Sequence, residues 1–450
     1  MRSPRSHRLD GTGDQREGMT VMTRSRARQW VCAFAGSAMV AACVTNQLTG
    51  TCFDNATCPD RAPPGPADAD GDVVARDPEG PPRDCPGIDL RADPNNCGTC
   101  GHSCFGGPCA GGTCLPVKMA AIPGANGLAL AHGGVVVTVM DFVEQGRGVF
   151  YVPPDLDGGI VQLGTDRAYS PSSDGVHACW VAEHGVPYSL PDGGQTCCVI
   201  AQHISCSLLD GGSRVSMYDD ASPYPHPGSP LIHDGYVYWF TNRDKGTLQR
   251  ASLSGDASTT TLGVIDDRAV YNVVLDGDRL FWLAYPRDGA MLATASLDDG
   301  SVTEARDVAR LEIPMIWAFA VAGNVGYVAA GDNQNDKTKG GIYRIPMDAD
   351  GGAATPLLRQ SLGSSRLAID KSHIYYTDGS RGILYRIPIP TSIPDGGFVP
   401  GMDGGQEAIV HGQDDLRDIR VDDRFVYWLS IATSGRQGEE RRDYLMRMAK

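Results

Sequence analysis

One strand couplet is written seven times along the chain, as Gly134-Val135-Val136-Val137-Thr138, Val176-His177-Ala178-Cys179-Trp180, Tyr236-Val237-Tyr238-Trp239, Arg279-Leu280-Phe281-Trp282, Val325-Gly326-Tyr327-Val328, His373-Ile374-Tyr375-Tyr376 and Phe425-Val426-Tyr427-Trp428. Aligned on Thr138, Trp180, Trp239, Trp282, Val328, Tyr376 and Trp428, successive copies are 42, 59, 43, 46, 48 and 52 residues apart. A period in this range corresponds to one four-stranded propeller blade per copy. The expectation is an all-β chain whose residues 115–450 form a β-propeller of seven four-stranded blades, six or eight being the alternatives.

The segments around the couplets fill in the blade. Short apolar runs end in Asp, Gly or Asn turns just before each couplet, among them Leu128-Ala129-Leu130, Val273-Val274-Leu275, Leu367-Ala368-Ile369 and Ile419-Arg420-Val421. Apolar run, turn and aromatic run make a hairpin of inner and second strand. A third strand follows in Val149-Phe150-Tyr151-Val152, Ile342-Tyr343-Arg344-Ile345, Leu384-Tyr385-Arg386-Ile387 and Leu445-Met446-Arg447-Met448. Asp-Gly-Gly at Asp157, Asp192, Asp210, Asp350, Asp395 and Asp403 reads as turn chemistry, with Gly supplying positive φ, rather than as metal binding. The last copy ends at Lys450 after its third strand. Val117-Lys118-Met119-Ala120-Ala121, just ahead of the first blade, is the candidate to complete it and close the ring, which removes the exposed strand edges.

Tyr238-Trp239-Phe240-Thr241, Tyr375-Tyr376-Thr377-Asp378 and Tyr427-Trp428-Leu429 resemble the repeat of YWTD-type propellers, found in lipoprotein receptors and in bacterial relatives. The Tyr375 copy keeps the full aromatic-aromatic-Thr-Asp ending, whereas copies one and five lack the Trp. The receptor propellers of that type have six blades, one fewer than the copies counted along this chain.

The amino-terminal quarter reads differently. Arg24, Arg26 and Arg28 precede an uncharged, mainly apolar run from Trp30 to Ala42 that stops at Val40-Ala41-Ala42-Cys43. A basic segment, a short apolar run and small residues before a cut describe an export signal over 1–42, too short to span a bilayer. The ending resembles the lipobox of bacterial lipoproteins, which implies that Cys43 carries the lipid. An ordinary signal peptide with a chance Cys is the alternative. Residues 43–84, rich in Pro, Asp and Gly, cannot bury enough apolar surface to offset their ordering entropy and read as a disordered linker, with Cys52 and Cys58 available to close one loop. Asp68, Asp70, Asp72 and Glu79 imitate the oxygen spacing of a calcium loop, but Val73 stands where the sharp turn needs Gly. A solvated acidic linker is the expectation.

Residues 85–114 hold Cys85, Cys97, Cys100, Cys104, Cys109 and Cys114. So short a Gly- and Asn-rich stretch must be cross-linked to hold a shape, and six Cys allow fifteen pairings. Cys97-Gly98-Thr99-Cys100 beside His102 has zinc-ligand spacing, yet export and the even count favour disulfides over metal. The run from Asp93 to Gly101 resembles a Cys-rich module common in large surface lipoproteins of some Gram-negative bacteria.

Removing the first 42 residues leaves 32 basic against 51 acidic side chains, a formal charge of −19. This argues against nucleic acid or anionic phospholipid as the main partner, since both demand a basic footprint. In the second blade, Cys179 and Cys206 fall on neighbouring strands and are placed for a cross-strand bridge, with Cys197 and Cys198 left to the connecting loop. Adjacent Cys can also form a reducible ring. Trp180, Trp239, Trp282, Tyr376 and Trp428 recur at one strand position and read as blade packing. No Gly-x-Ser-x-Gly elbow, His-Glu-x-x-His or P-loop occurs, the histidines are scattered, and no catalytic residue, metal or cofactor is assigned.

The expectation for function is a lipid-anchored exported protein of the bacterial cell envelope, held at the outer membrane and facing the periplasm or the outside. Its propeller would act as a binding or scaffold module for a protein or carbohydrate at the ring's mouth. A propeller enzyme with a channel site, such as a sugar oxidoreductase, lyase or lactonase, is the second reading. It needs ionisable residues converging from the inner strands, which read as Leu, Ile, Val and Ala. A passive surface spacer is the third.

Overall fold

Alternating apolar side chains with both strand faces in demand can be satisfied only by stacking sheet on sheet, and the chain does this around a ring. The computed structural model describes residues 85–140 and most of residues 147–450, the longest stretches left out of the latter being 391–404 and 432–442. The signal segment with Cys43, the spacer with Cys52 and Cys58, the calcium-like run from Asp68 to Glu79, and Asp157, Asp192, Asp350, Asp395 and Asp403 lie outside the described residues.

Seven antiparallel sheets follow one another in chain order; six are four-stranded, the fourth blade adds the two-residue strand Ser301–Val302 ahead of its outer strand Arg306–Leu311, and in five of the seven the strands pair in simple succession. Their inner strands are Ala125–Ala131, Arg167–Ser173, Leu231–His233, Val270–Asp276, Ile316–Ala322, Leu367–Ile369 and Asp415–Val421. The seven-bladed, all-β expectation is met, with one blade more than the receptor propellers its repeat resembles. The wide spacing after the second copy comes from a long hairpin, His177–Ser189 paired with Gln195–Leu208. Cys197 and Cys198 therefore have their backbone inside a strand, at an irregularity between Thr196 and Val199, and not in a loop as the spacing suggests; their side chains lie outside the described residues.

The core is a set of clusters, one between each pair of neighbouring blades. Trp180 packs with Val136, Val149 and Leu163 of the first blade, while its strand neighbours Cys179 and Val181 turn to Val237 and Trp239 of the third. Trp282 likewise meets Phe240 of the blade before it, at 5.9 Å between ring centroids. Trp180, Trp239, Trp282, Tyr376 and Trp428 are all fully buried. Gly164 is required by such a contact, because a Cβ there would stand 2.8 Å from the Trp180 ring.

The seventh sheet is not consecutive. Asp415–Val421, Phe425–Ile431 and Tyr444–Ala449 are completed by Val117–Ala121, which pairs with the last strand from Val117↔Arg447 to Ala121↔Tyr444. Buried Asp443 fixes the exit of that strand by accepting the Gly124 N–H at 2.7 Å, and its own carbonyl accepts the Ile122 N–H. Residues 85–114 sit against the same blade. Cys97, Cys104 and Cys114 share a buried cluster with Ile122, Phe425 and Tyr427, and Phe105 stacks edge-on against Phe425 at 5.3 Å. The sulfurs of Cys85 and Cys100, Cys97 and Cys109, and Cys104 and Cys114 stand at disulfide distance.

Turn chemistry recurs as the Asp-rich hairpins suggest. Asp174, Asp370 and Asp422 each accept the N–H groups two and three residues on, and Asp370 and Asp422 also take the Tyr375 and Tyr427 hydroxyls at 3.0 Å. At Asp210 the following Gly211 has φ 82°, where a side chain would be strained.

Two outcomes are expected. Met119→Asp puts a charge into the buried face of the closing strand and should lower urea-unfolding stability by about 3 kcal/mol or more, whereas Ala121→Ser on its exposed face should leave the midpoint unchanged. The second concerns Asp370, which bonds the Lys450 ammonium at 2.7 Å. Burial works against ionisation of Asp370, but the Lys450 ammonium, the Ser372 and His373 N–H groups and the Ser372 hydroxyl outweigh it and hold the carboxyl well below the usual carboxylate range. A depressed carboxylate contributes stability above its ordinary pKa and loses it as pH falls through the folded value. Asp370→Asn should thus flatten the fall in thermal stability below about pH 4, as followed by circular dichroism.

Candidate functional site

The inner strands enclose a central channel with a cavity of about 750 Å³. Each blade contributes to its wall, and one level of the wall is built by a repeated backbone device. Pairing slips by one residue between Ala125 and Gly127, Tyr169 and Ser172, Tyr271 and Val274, Ile316 and Ala318, and Arg417 and Ile419. A bulge of this kind re-aims a side chain out of the alternating pattern. The residues at these slips include Asn126, Ser170, Asn272, Trp317 and Asp418, and in the third and sixth blades Ser229 and Arg366 hold the corresponding place just ahead of the inner strand; all seven line the cavity. Ser170 and Asn272 have φ of 50° and 47°, in the left-handed region. Such conformations cost of order 1–3 kcal/mol for a residue with a side chain and gather at functional sites.

The inner-strand reading as Leu, Ile, Val and Ala is thus corrected at one level. Leu130, Leu231, Ile232, Val273 and Ala368 do form an apolar sleeve, but six of the seven ring positions carry polar or charged side chains. Period-two patterning misses Asn126, Ser170, Asn272 and Asp418 because a bulge breaks the period where they occur, and Ser229 and Arg366 because they lie just ahead of the paired strand.

The threonines at the ends of two couplets organise this ring. Thr138 donates its hydroxyl to Asn126 Oδ1 at 2.9 Å. Thr377, from the Tyr375-Tyr376-Thr377-Asp378 copy, accepts the Arg366 N–H on its hydroxyl at 2.9 Å and returns its own N–H to the Arg366 carbonyl at 3.1 Å. Asp418 is 9 % exposed and fully engaged. It accepts the Leu128 N–H of the neighbouring blade at 2.7 Å, the Ile419 N–H at 3.0 Å and the Arg420 guanidinium. Tyr169, also on the wall, is kept neutral, since burial, joined by the charge of Glu183, pushes its phenol far above the usual range. Glu183 itself is buried, takes a hydrogen bond from the Gln202 amide at 3.0 Å and lies 3.5 Å from the Arg167 guanidinium.

The other sequence candidates lie away from the channel. Cys179 and Cys206 face each other across the second blade at disulfide distance, with Cα atoms 4.1 Å apart, inside the core between blades. Cys97, Cys104 and Cys109 cluster closely enough to hold a metal, but their sulfurs are each at disulfide distance from another Cys, and His102 bonds the Cys97 and Lys450 backbone oxygens at 2.7 Å. His233, Asp234 and Asp278 meet at a rim turn, where His233 Nε2 is 3.0 Å from Asp278 and 3.6 Å from Asp234, both of these carboxylates being exposed.

No protein-family model and no curated protein sequence matches the chain. Among solved structures it is similar to hydrazine synthase of Kuenenia stuttgartiensis, at 13% identity and TM-score 0.48 over 69% of this chain and 94% of that one. It is similar also to YCF48 bound to D1 peptide, at 13% identity and TM-score 0.46 over 75% and 95% of the two chains. The β-propeller domain of the Trilobed protease from Pyrococcus furiosus matches at 10% identity and TM-score 0.45 over 74% and 94%. Likeness at this level concerns architecture, and function has to be argued from the site.

Proposed function

We propose that this chain is an exported, lipid-anchored binding protein of the bacterial cell envelope. The lipid on Cys43 holds it to the membrane, residues 43–84 provide reach, and the propeller recognises a ligand through its channel. The observation that supports this reading is the polar ring set into an apolar sleeve, from Asn126 in the first blade to Asp418 in the seventh. A cavity of a few hundred cubic ångströms with apolar walls and a few convergent polar groups is the usual form of a small-molecule site. Recognition is favoured over catalysis because Asp418, the carboxylate among the described lining residues, is bound by two N–H groups and a guanidinium. A carboxylate so engaged is poorly placed to move protons.

Two measurements bear on this. In cells, Cys43→Ser should move the chain from the membrane to the soluble fraction; an unchanged fractionation removes the anchor. In a pull-down from native envelope, the soluble protein from Thr45 onward should retain a ligand or partner that Ser229→Trp, which fills the channel, does not. Retention by neither, above a blank column, defeats the binding role, and equal retention by both moves recognition away from the channel.

A further inference from the structure

We propose that the channel takes a small organic carboxylate, with Arg366 as the residue that receives its anionic group. This rests on the binding reading above and narrows it to one class of ligand.

The chain carries a formal net charge of −15, yet among the described residues the channel wall holds two guanidinium groups, Arg366 and Arg420, against the single carboxylate of Asp418. Arg420 is committed to that carboxylate and to the Ile419 carbonyl at 2.7 Å. Arg366 is different. Its backbone is held on both sides by Thr377, whereas among the described residues its guanidinium has no hydrogen-bond or ion-pair partner. It is half-buried on a concave wall with five N–H donors to satisfy. A guanidinium whose backbone is fixed and whose fork is open matches the planar, two-oxygen geometry of a carboxylate, and low-dielectric walls strengthen that attraction.

The neighbouring ring positions carry the selection further. Asn126, two blades on from Arg366 around the ring, has its oxygen occupied by the Thr138 hydroxyl, which leaves its NH₂ as the group to offer. Between them Asp418 is turned to Leu128, Ile419 and Arg420, so its charge is met within the wall. Asn272, Ser170 and Ser229 complete the level with groups that both donate and accept, suited to hydroxyls or amides elsewhere on the ligand. The cavity, about 750 Å³, fits a molecule of one to a few sugar or amino-acid units. Sugar acids and free peptide C-termini share this chemistry.

Isothermal titration of the soluble protein from Thr45 onward, at low salt, separates the possibilities. The probes are a hexuronate beside the parent hexose, and tri-alanine with a free carboxylate beside its C-terminal amide. One or both acids should bind while the neutral partner does not, and the acid that binds identifies the source. Arg366→Gln should weaken binding roughly tenfold to a hundredfold with the melting temperature unchanged, and Arg366→Lys should recover only part of it, having the charge without the fork. Equal binding of acid and neutral partner overturns the carboxylate site while leaving the channel a binding site. Wild-type affinity in Arg366→Gln overturns the role of Arg366. No heat from any probe overturns the assignment of ligand class, and the envelope pull-down then judges the binding reading separately.

Discussion

The ring depends on one pairing, that of Val117–Ala121 with Tyr444–Ala449. A blade has apolar side chains on both faces and is soluble only between two neighbours, so opening the ring at any joint exposes two faces and a strand edge together. Here the joint lies within a sheet, where backbone hydrogen bonds make it continuous with the rest of the blade. The surroundings reinforce it: Asp443 ties down the exit to the first blade, Lys450 reaches Asp370 of the sixth, and the Cys-rich residues add Cys97, Cys104 and Phe105 to the adjoining core. Contacts far apart in sequence thus converge on the place where the two ends of the propeller meet.

From a closed ring the site follows almost geometrically. Seven inner strands crowd toward the axis, and a regular strand there presents small apolar groups. Slipping one residue out of register at similar heights substitutes a longer polar side chain, and repetition of the blade turns single irregularities into a ring. The backbone tolerates left-handed Ser170 and Asn272 because blades on either side hold the strands. The same rigidity lets the Arg366 side chain stand without a partner among the described residues at an acidic protein's axis, since Thr377 holds its main chain and solvent reaches its side chain.

Much of the fold was legible residue by residue. The aromatic residues of the couplets recur because five of the blades present one large side chain to the blade before them, as Trp180 does to Val136 and Trp282 to Phe240. The hairpin turns were legible because Asp at 370 and 422 bonds the N–H groups that follow it, a contact two or three residues long. The missing fourth strand of the last blade pointed to a donor from the other end of the ring. Less was legible of the second blade, where strands long enough to absorb Cys197 and Cys198 replaced an expected loop.

What the sequence alone determined, then, is the blade: its strand order, its turns, its number of copies and the need for closure, all set by local hydrogen bonding and by alternation along a strand. What only the tertiary structure decided is the channel, because the slips that carry Asn126, Asn272 and Asp418 inward depend on how each inner strand fits its partner. The environment of Arg366 was hidden for the same reason. Whether a guanidinium is paired depends on residues brought to it from the other blades, and no spacing along the chain records that.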